Sequence, residues 1–198
     1  MKNLIALGLM LVAPVAFAKK ENFKVSVDDT KISWEGQKSV KALGGHHGSL
    51  KAKSGTLQVD GEKLVGGEIV IDMKSLKDED LTDEGMNKKL VGHLNSDDFF
   101  STEKHPTATL KITKVEQVKD DNFKIFGDLT IKGIKKPLEQ PIEAKVHAGK
   151  DQVHSTGVMT VNRTLYGIKY NSLKFFSSIG DKAIADNFTV TFEILAKK

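Results

Sequence analysis

Apolar residues recur at every second position in run after run of this chain, and that period sets the tightest limit on what it can fold into. Ile69, Ile71 and Met73 alternate with Glu68, Val70 and Asp72, and Ala108, Leu110 and Ile112 alternate with Thr109, Lys111 and Thr113. A period of two sends successive side chains to opposite faces of a strand, one toward a core and one toward water. Phe123, Ile125, Gly127, Leu129 and Ile131 share one such face, and Phe188, Val190, Phe192 and Ile194 share another. Weaker alternation at Val25 and Val27, Ile32 and Trp34, Leu57 and Val59, Ile142 to Val146, and Val153 to Val161 brings the expectation to roughly eight strands. Between the runs lie Asp60-Gly61, Gly66-Gly67, Asp120-Asp121-Asn122 and Ala148-Gly149-Lys150-Asp151, whose residues tolerate positive φ and predict turns. Short turns make sequence neighbours antiparallel partners. Eight such strands either stack as a sandwich or close as a barrel, and the alternation alone does not choose.

One stretch leaves the period of two. Ser75 and Asp78 have the spacing of a capping box, with Asp in place of Glu, and Met86, Leu90, Val91 and Leu94 then recur at helical spacing up to Asn95. This predicts one inserted helix with a buried apolar stripe, lying across the wall or an open end of the sheet as a plug or a lid.

Residues 1–18 hold Lys2, an apolar run from Leu4 to Val15 interrupted by Pro14, and Ala16-Phe17-Ala18. That is the pattern of a signal peptide cleaved after Ala18, and it predicts a periplasmic protein with one domain over residues 19–198. The run is shorter than the roughly 20 residues that cross a bilayer, and no later segment is long or apolar enough, so stable membrane insertion is not expected. The chain has no cysteine, which excludes lipobox acylation, disulfides and thiolate metal sites. Its net charge of +4, reduced to +3 once Lys2 is removed, is interleaved with Asp and Glu as on a solvated surface, and nucleic acid is not an expected partner.

Motifs for chemistry are sparse. There is no Gly-x-Ser-x-Gly elbow, His-Glu-x-x-His or phosphate-cradling glycine loop, so neither an enzyme nor a cofactor is expected. Asp97 and Asp98 are adjacent and read as a turn. His46 and His47 are neighbours in a glycine-rich segment, and no histidine pair shows ligand spacing, so no metal site is expected. One of the two can face inward at a barrel mouth, where an imidazole binds a polar head group. Arg163 is the sole arginine among thirty basic residues. A planar fork held at one position points either to recognition of an anion or to a structural ion pair. In Phe99-Phe100 and Phe175-Phe176, adjacent rings on extended backbone face opposite sides, which predicts one ring of each pair in the interior.

Several segments together resemble the YceI-like family of bacterial proteins. They are Ile32-Ser33-Trp34-Glu35-Gly36 followed by His46-His47-Gly48, Gly66 to Ser75, Leu90 to Phe100 running on to His105-Pro106-Thr107-Ala108-Thr109, Gly127 to Gly133, and Gly180-Asp181-Lys182. The order and number of the matches cover the whole mature chain. The resemblance implies an all-β fold, an antiparallel eight-stranded extended lipocalin-like β-barrel with one short inserted helix. It also implies a long-chain apolar lipid inside, of polyisoprenoid, isoprenoid quinone or fatty-acyl type, held for transport or storage. In the family an acidic residue usually follows the arginine, where this chain has Thr164.

On that reading the lipid chain is lined by Trp34, Ile69, Ile71, Met73, Leu90, Leu94, Phe99, Leu110, Phe175, Phe188 and Phe192, and its head group meets His46, Arg163 and Tyr170. Eight strands leave an interior wide enough for one slender ligand. A homodimer is compatible with the sequence. Two other readings stand beside this one. An enzyme acting on a sequestered isoprenoid would need a polar cluster around His46 and His93, and a structural barrel would be filled by its own aromatic side chains.

Overall fold

The computed structural model describes residues 20–198, so the leader expected over residues 1–18 lies outside the described residues. Ten strands and one α-helix follow in the order β1 (Lys20–Val25), β2 (Lys31–Lys38), β3 (Gly45–Asp60), β4 (Lys63–Asp78), α1 (Glu84–Asn95), β5 (Thr107–Lys119), β6 (Asn122–Ile131), β7 (Ile134–Pro137), β8 (Ile142–Ala148), β9 (Gln152–Asn162) and β10 (Ile184–Lys197). Every pairing is antiparallel. The sheet runs β2-β3-β4-β5-β6-β8-β9-β10 and closes where β10 returns to β2, which makes an eight-stranded barrel.

Ten strands form eight staves because two staves are broken. β1 pairs with residues 56–60 of β3, and β2 pairs with residues 45–50 of the same strand, so the two lie end to end. β8 takes the Asn122–Ile125 part of β6 and β7 the Asp128–Ile131 part. The alternation did not reveal β7, whose four residues are all exposed. Beyond Val158, β10 is the only strand partner of β9 among the described residues. The wall therefore parts between β7 and the end of β9, and the 3-10 turn Arg163–Tyr166 with Ile168 folds back toward that opening. Ile168 is fully buried, and Ile134 of β7 reaches within van der Waals distance of where a side chain on Gly167 would begin.

The strongly alternating runs are buried as expected: Phe123, Ile125, Leu129 and Ile131 on β6, Ile69, Ile71 and Met73 on β4, and Ala108, Leu110 and Ile112 on β5. Three expectations fail for local reasons. Gly66-Gly67 is not a turn but part of β4, where a Cβ on Gly67 would lie 2.5 Å from the Thr56 carbonyl oxygen. Ser75 does not cap a helix, because β4 runs on to Asp78 through a bulge opposite Ser49–Lys51. The Ser75 hydroxyl serves that bulge, accepting from the Lys51 N–H and donating to the Asp72 carbonyl. The helix starts later, capped by Asp83, whose carboxylate accepts the Met86 N–H at 2.8 Å. Met86 itself is exposed, whereas Leu94 is buried and Leu90 and Val91 pack against the core.

The interior is uneven. In the lower half, Ile32, Leu57, Leu64, Ile125, Ile142 and Ile194 leave a void of only about 40 Å³. Removing three carbons from that half should leave a hole with nothing to collapse into it. Leu57→Ala is expected to cost about 2–5 kcal/mol, read as a lower urea midpoint at unchanged m-value, and Met73→Ala, which faces the open half, is expected to cost less than Leu57→Ala.

Candidate functional site

The upper half of the barrel encloses a cavity of about 310 Å³, roofed by α1 and by the loops around it. Its vacancy follows from residue size. Gly36, Gly45, Ala108 and Ala185 stand in its wall, where the lower half has branched and aromatic side chains. Trp34 lies at its edge and donates its indole N–H to the Lys77 carbonyl at 3.0 Å, over a Gly48 too close to Lys77 to carry a side chain.

The helix is held over the opening from both ends. At its start the Asn87 amide donates to the Asp78 carboxylate, the Asp78 carbonyl and the Leu81 carbonyl. After its end, Phe100 N–H donates to the Leu94 carbonyl, Thr102 N–H to the Asn95 carbonyl, and the Lys132 ammonium to the Asp97 carbonyl. Asp97 and Asp98 lie in the turn expected for them. The same turn breaks extended geometry, so Phe99 and Phe100 both reach the cavity instead of facing opposite sides. Phe100 meets Phe188 edge-on at 6.1 Å. His93 of α1 sits edge-on to Phe99 at 4.9 Å and to Tyr170 at 4.6 Å, and its Nε2 is 3.3 Å from Asp98.

Of the lining residues expected from sequence, Trp34, Ile71, Met73, Leu90, Leu94, Phe99 and Phe188 border the upper cavity. Ile69, Leu110 and Phe192 lie lower, in the packed half. Phe175 borders neither and is 40% exposed, with Lys169 and Lys174 over its ring. Phe176 is exposed too, because a turn stacked on the Ser172 carbonyl carries both rings outward. Leu173, Tyr170, Val40 and Leu43 are exposed in the loops at the same end of the barrel. These loops are joined by hydrogen bonds from Ser39 N–H to the Ala183 carbonyl and from Ile184 N–H to the Asn171 carbonyl. Ala108, on the inward face that the alternation gives, and Met159 also border the cavity; a small or flexible side chain carries no sequence signal that it lines a pocket rather than a packed core.

The three residues expected near a head group all border the cavity. Arg163 is 4% exposed, and its donors go to backbone: Nε to Ala185 O, Nη1 to Ile168 O and Tyr170 O, and Nη2 to Ile184 O, all within 2.8–3.1 Å. Asp186 lies 3.6 Å from Nη2. Burial pulls the guanidinium below its ordinary pKa, against the opposing pull of that carboxylate. The fork therefore ties β10 to the 163–170 loop. Nearby Tyr166 is pushed up to about 12, chiefly by burial and further by Glu139.

His46 is joined to two carboxylates at the end of β4. Its Nδ1 is 3.0 Å from Asp80 Oδ2 and 4.0 Å from Asp78 Oδ2. Burial, together with the adjacent Asp80, raises the Asp78 pKa against the hydrogen bond from Leu81 N–H. Burial also acts to raise Asp80, but the His47 N–H, the His46 ring and Asp78 outweigh it and hold Asp80 at about 2. His47 is mostly exposed, as expected of the neighbour that faces away.

A model of the YceI-like domain matches residues 23–196. A UPF0312 protein of Vibrio vulnificus is 32% identical over 161 residues, covering 76% of this chain and 77% of that protein. Protein YceI of Escherichia coli is 32% identical over 125 residues, 60% of this chain and 61% of its own length. Among solved structures, BcnA of Burkholderia cenocepacia superposes with a TM-score of 0.68 at 20% identity, over 87% of this chain and 99% of that one. A polyisoprenoid binding domain from Saccharophagus degradans gives 0.59 at 11% identity, over 88% and 97%. At these identities the structural likeness establishes the shared fold.

Two outcomes test this geometry. Arg163→Lys replaces a fork with a single point of donation and strands buried carbonyls, so it is expected to cost about 3 kcal/mol in a urea titration. A variant of unchanged stability that loses only affinity for an anionic lipid would instead assign Arg163 to the head group. For Asp80, a lowered pKa means that its contribution to stability is complete above the ordinary value of 3.8 and is lost as the pH falls toward 2. In buffer containing a chelator, the stability gap between the native chain and Asp80→Asn is expected to shrink over that window.

Proposed function

Since the chain belongs to the YceI-like family, we propose that the open upper half of its barrel holds the hydrocarbon chain of a long-chain lipid, of polyisoprenoid, isoprenoid quinone or fatty-acyl type, and that it carries or stores this lipid without covalent chemistry. The observation behind this reading is the cavity itself: about 310 Å³ walled by apolar side chains and small residues, above a half that is packed shut. A ligand entering from above therefore buries its chain to a fixed depth. At about 0.8 kcal/mol per buried methylene, ten carbons supply about 8 kcal/mol, the equivalent of a micromolar Kd before the cost of immobilising the chain, and each further carbon toward the rim adds to it. A fold neighbour that is itself a polyisoprenoid binding domain supports the ligand class.

The volume is at the small end for ligand sites, so a long lipid extends past α1 to the rim. The rim suits that task. Tyr170, Leu173, Phe175 and Phe176 are exposed there beside Lys169 and Lys174, a combination that partitions to the boundary between water and lipid. His46 and Tyr170, bordering the cavity at this end, are the polar groups we assign to the head of the ligand. The leader expected over residues 1–18 supports export, and with it a periplasmic place of work. No helix among the described residues is long and apolar enough to cross a membrane.

Native mass spectrometry of the protein purified from its source, with extraction of retained lipid, is the direct test. A stoichiometric long-chain lipid is expected. Protein that arrives empty and takes up no added polyprenyl, quinone or acyl lipid would mark the barrel as structural. Ala108→Phe places a ring in the cavity from β5. Excluding two methylenes at about 0.8 kcal/mol each should weaken uptake roughly tenfold or more, with folding retained.

A further inference from the structure

We infer that His46, Asp78 and Asp80 form a binding site for a divalent transition-metal ion, with Zn²⁺ the best-suited occupant, at the rim of the barrel. The three ligand atoms, His46 Nδ1 and one oxygen from each carboxylate, lie within 4.8 Å of one another. They come from two adjacent strands. His46 opens β3, Asp78 closes β4 opposite Gly48, and Asp80 follows two residues later.

Asp78 carries the argument. Its side chain is fully buried, and among the described residues Oδ2 has no hydrogen-bond partner although it faces His46. A buried carboxylate oxygen without a partner is costly, and proteins rarely keep one unless something else satisfies it. Its other oxygen is fixed: Oδ1 accepts from Leu81 N–H and from the Asn87 amide, both at 3.0 Å, so Oδ2 is aimed toward the cluster and cannot turn away. Asp80 is held in the same manner, with Oδ1 on the His47 N–H at 2.9 Å and Oδ2 on His46. Such outer hydrogen bonds orient the ligands in established metal sites. Histidine is the only basic side chain within 4.0 Å of either carboxylate among the described residues, so no lysine or arginine neutralises the pair.

The donor set names the class of ion. One imidazole nitrogen with two carboxylate oxygens suits Zn²⁺ and its first-row neighbours better than Ca²⁺ or Mg²⁺, which take oxygen almost exclusively. Ligand bonds of about 2.0–2.2 Å place tetrahedral ligands about 3.3 Å apart. The His46–Asp80 separation of 3.0 Å is close to that, and the His46–Asp78 separation of 4.0 Å needs to close by less than 1 Å. Three protein ligands leave a coordination position open. His46 borders the lipid cavity, so the ion would sit at its mouth.

The site does not depend on the lipid reading and is tested without lipid. Tag-free protein is stripped with a chelator, then titrated with Zn²⁺ by calorimetry and with Co²⁺ by visible absorption, where a site of low coordination number gives intense d–d bands. One ion per chain is expected, with a melting temperature that rises with Zn²⁺ concentration. Asp78→Asn preserves the acceptor for Leu81 N–H and should fold at least as stably without metal, yet bind Zn²⁺ roughly tenfold more weakly or worse. His46→Gln gives an independent reading should Asp78→Asn fail to fold. Absence of a stoichiometric site in the native chain would overturn the proposal. Undiminished binding in these variants would do the same, assigning the ion to a surface pair such as His147 with Asp121 or His154 with Glu193.

Discussion

β10, the last of the described strands in chain order, closes the barrel, and the rest of the structure depends on that closure. β10 pairs with β9 from Asn187 to Lys197 along one edge, and with β2, then β1, along the other. Until it docks, β2 and β9 are free edges, and the inner face of every stave is open to water. Closure removes those edges and fixes the diameter, because eight staves allow only one narrow interior. Whether that interior is core or pocket is then decided by side-chain volume alone. Isoleucine, leucine and phenylalanine fill the lower half; glycine and alanine leave the upper half open.

A closed wall made from broken staves has a weak point, and Arg163 sits at it. The gap between β7 and the end of β9 is filled by a non-repetitive loop whose carbonyls have no ladder to join. Two of those carbonyls, of Ile168 and Tyr170, and two on β10, of Ile184 and Ala185, accept from one guanidinium. A lysine could not serve them, since its three donors radiate from one atom, whereas the five N–H groups of arginine spread across a plane. Use of arginine at one position in a lysine-rich chain is thus explained by backbone satisfaction.

Much of the fold was legible in the sequence because alternation records burial directly. The inward faces of β4, β5, β6 and β10 can be read residue by residue. What escaped were features whose sequence signal has two meanings. Gly66-Gly67 looks like a turn but relieves crowding inside β4, and Ser75 looks like a helix cap but closes a bulge. The site was harder to read. Alternation showed which residues face inward but not at what height, so Ile69, Leu110 and Phe192 were grouped with residues half a barrel away. An apolar pair on extended backbone would put Phe175 inside, but the turn on the Ser172 carbonyl carries it outward. Arg163 stands out in the sequence as a residue under positional constraint, while its partners, being main-chain atoms, leave no trace there.

The same blindness explains why the acidic cluster went unseen. A search for metal ligands by spacing looks for histidines that converge along one element, and His46 and His47 fail that search because neighbours on a strand point apart. Convergence here comes from pairing between strands instead. The bulge that retains Ser75 in β4 lengthens that strand by the residues needed to bring Asp78 opposite Gly48, two positions from His46. Without the extra residues the register would shift, Asp78 would turn to the other face, and Asn87 would lose the carboxylate that anchors the start of α1. One irregularity in β4 therefore sets the seat of the helix over the cavity and the orientation of the buried carboxylate beside it. Helix position and rim charge are in this way mechanically coupled, through the single side chain of Asp78.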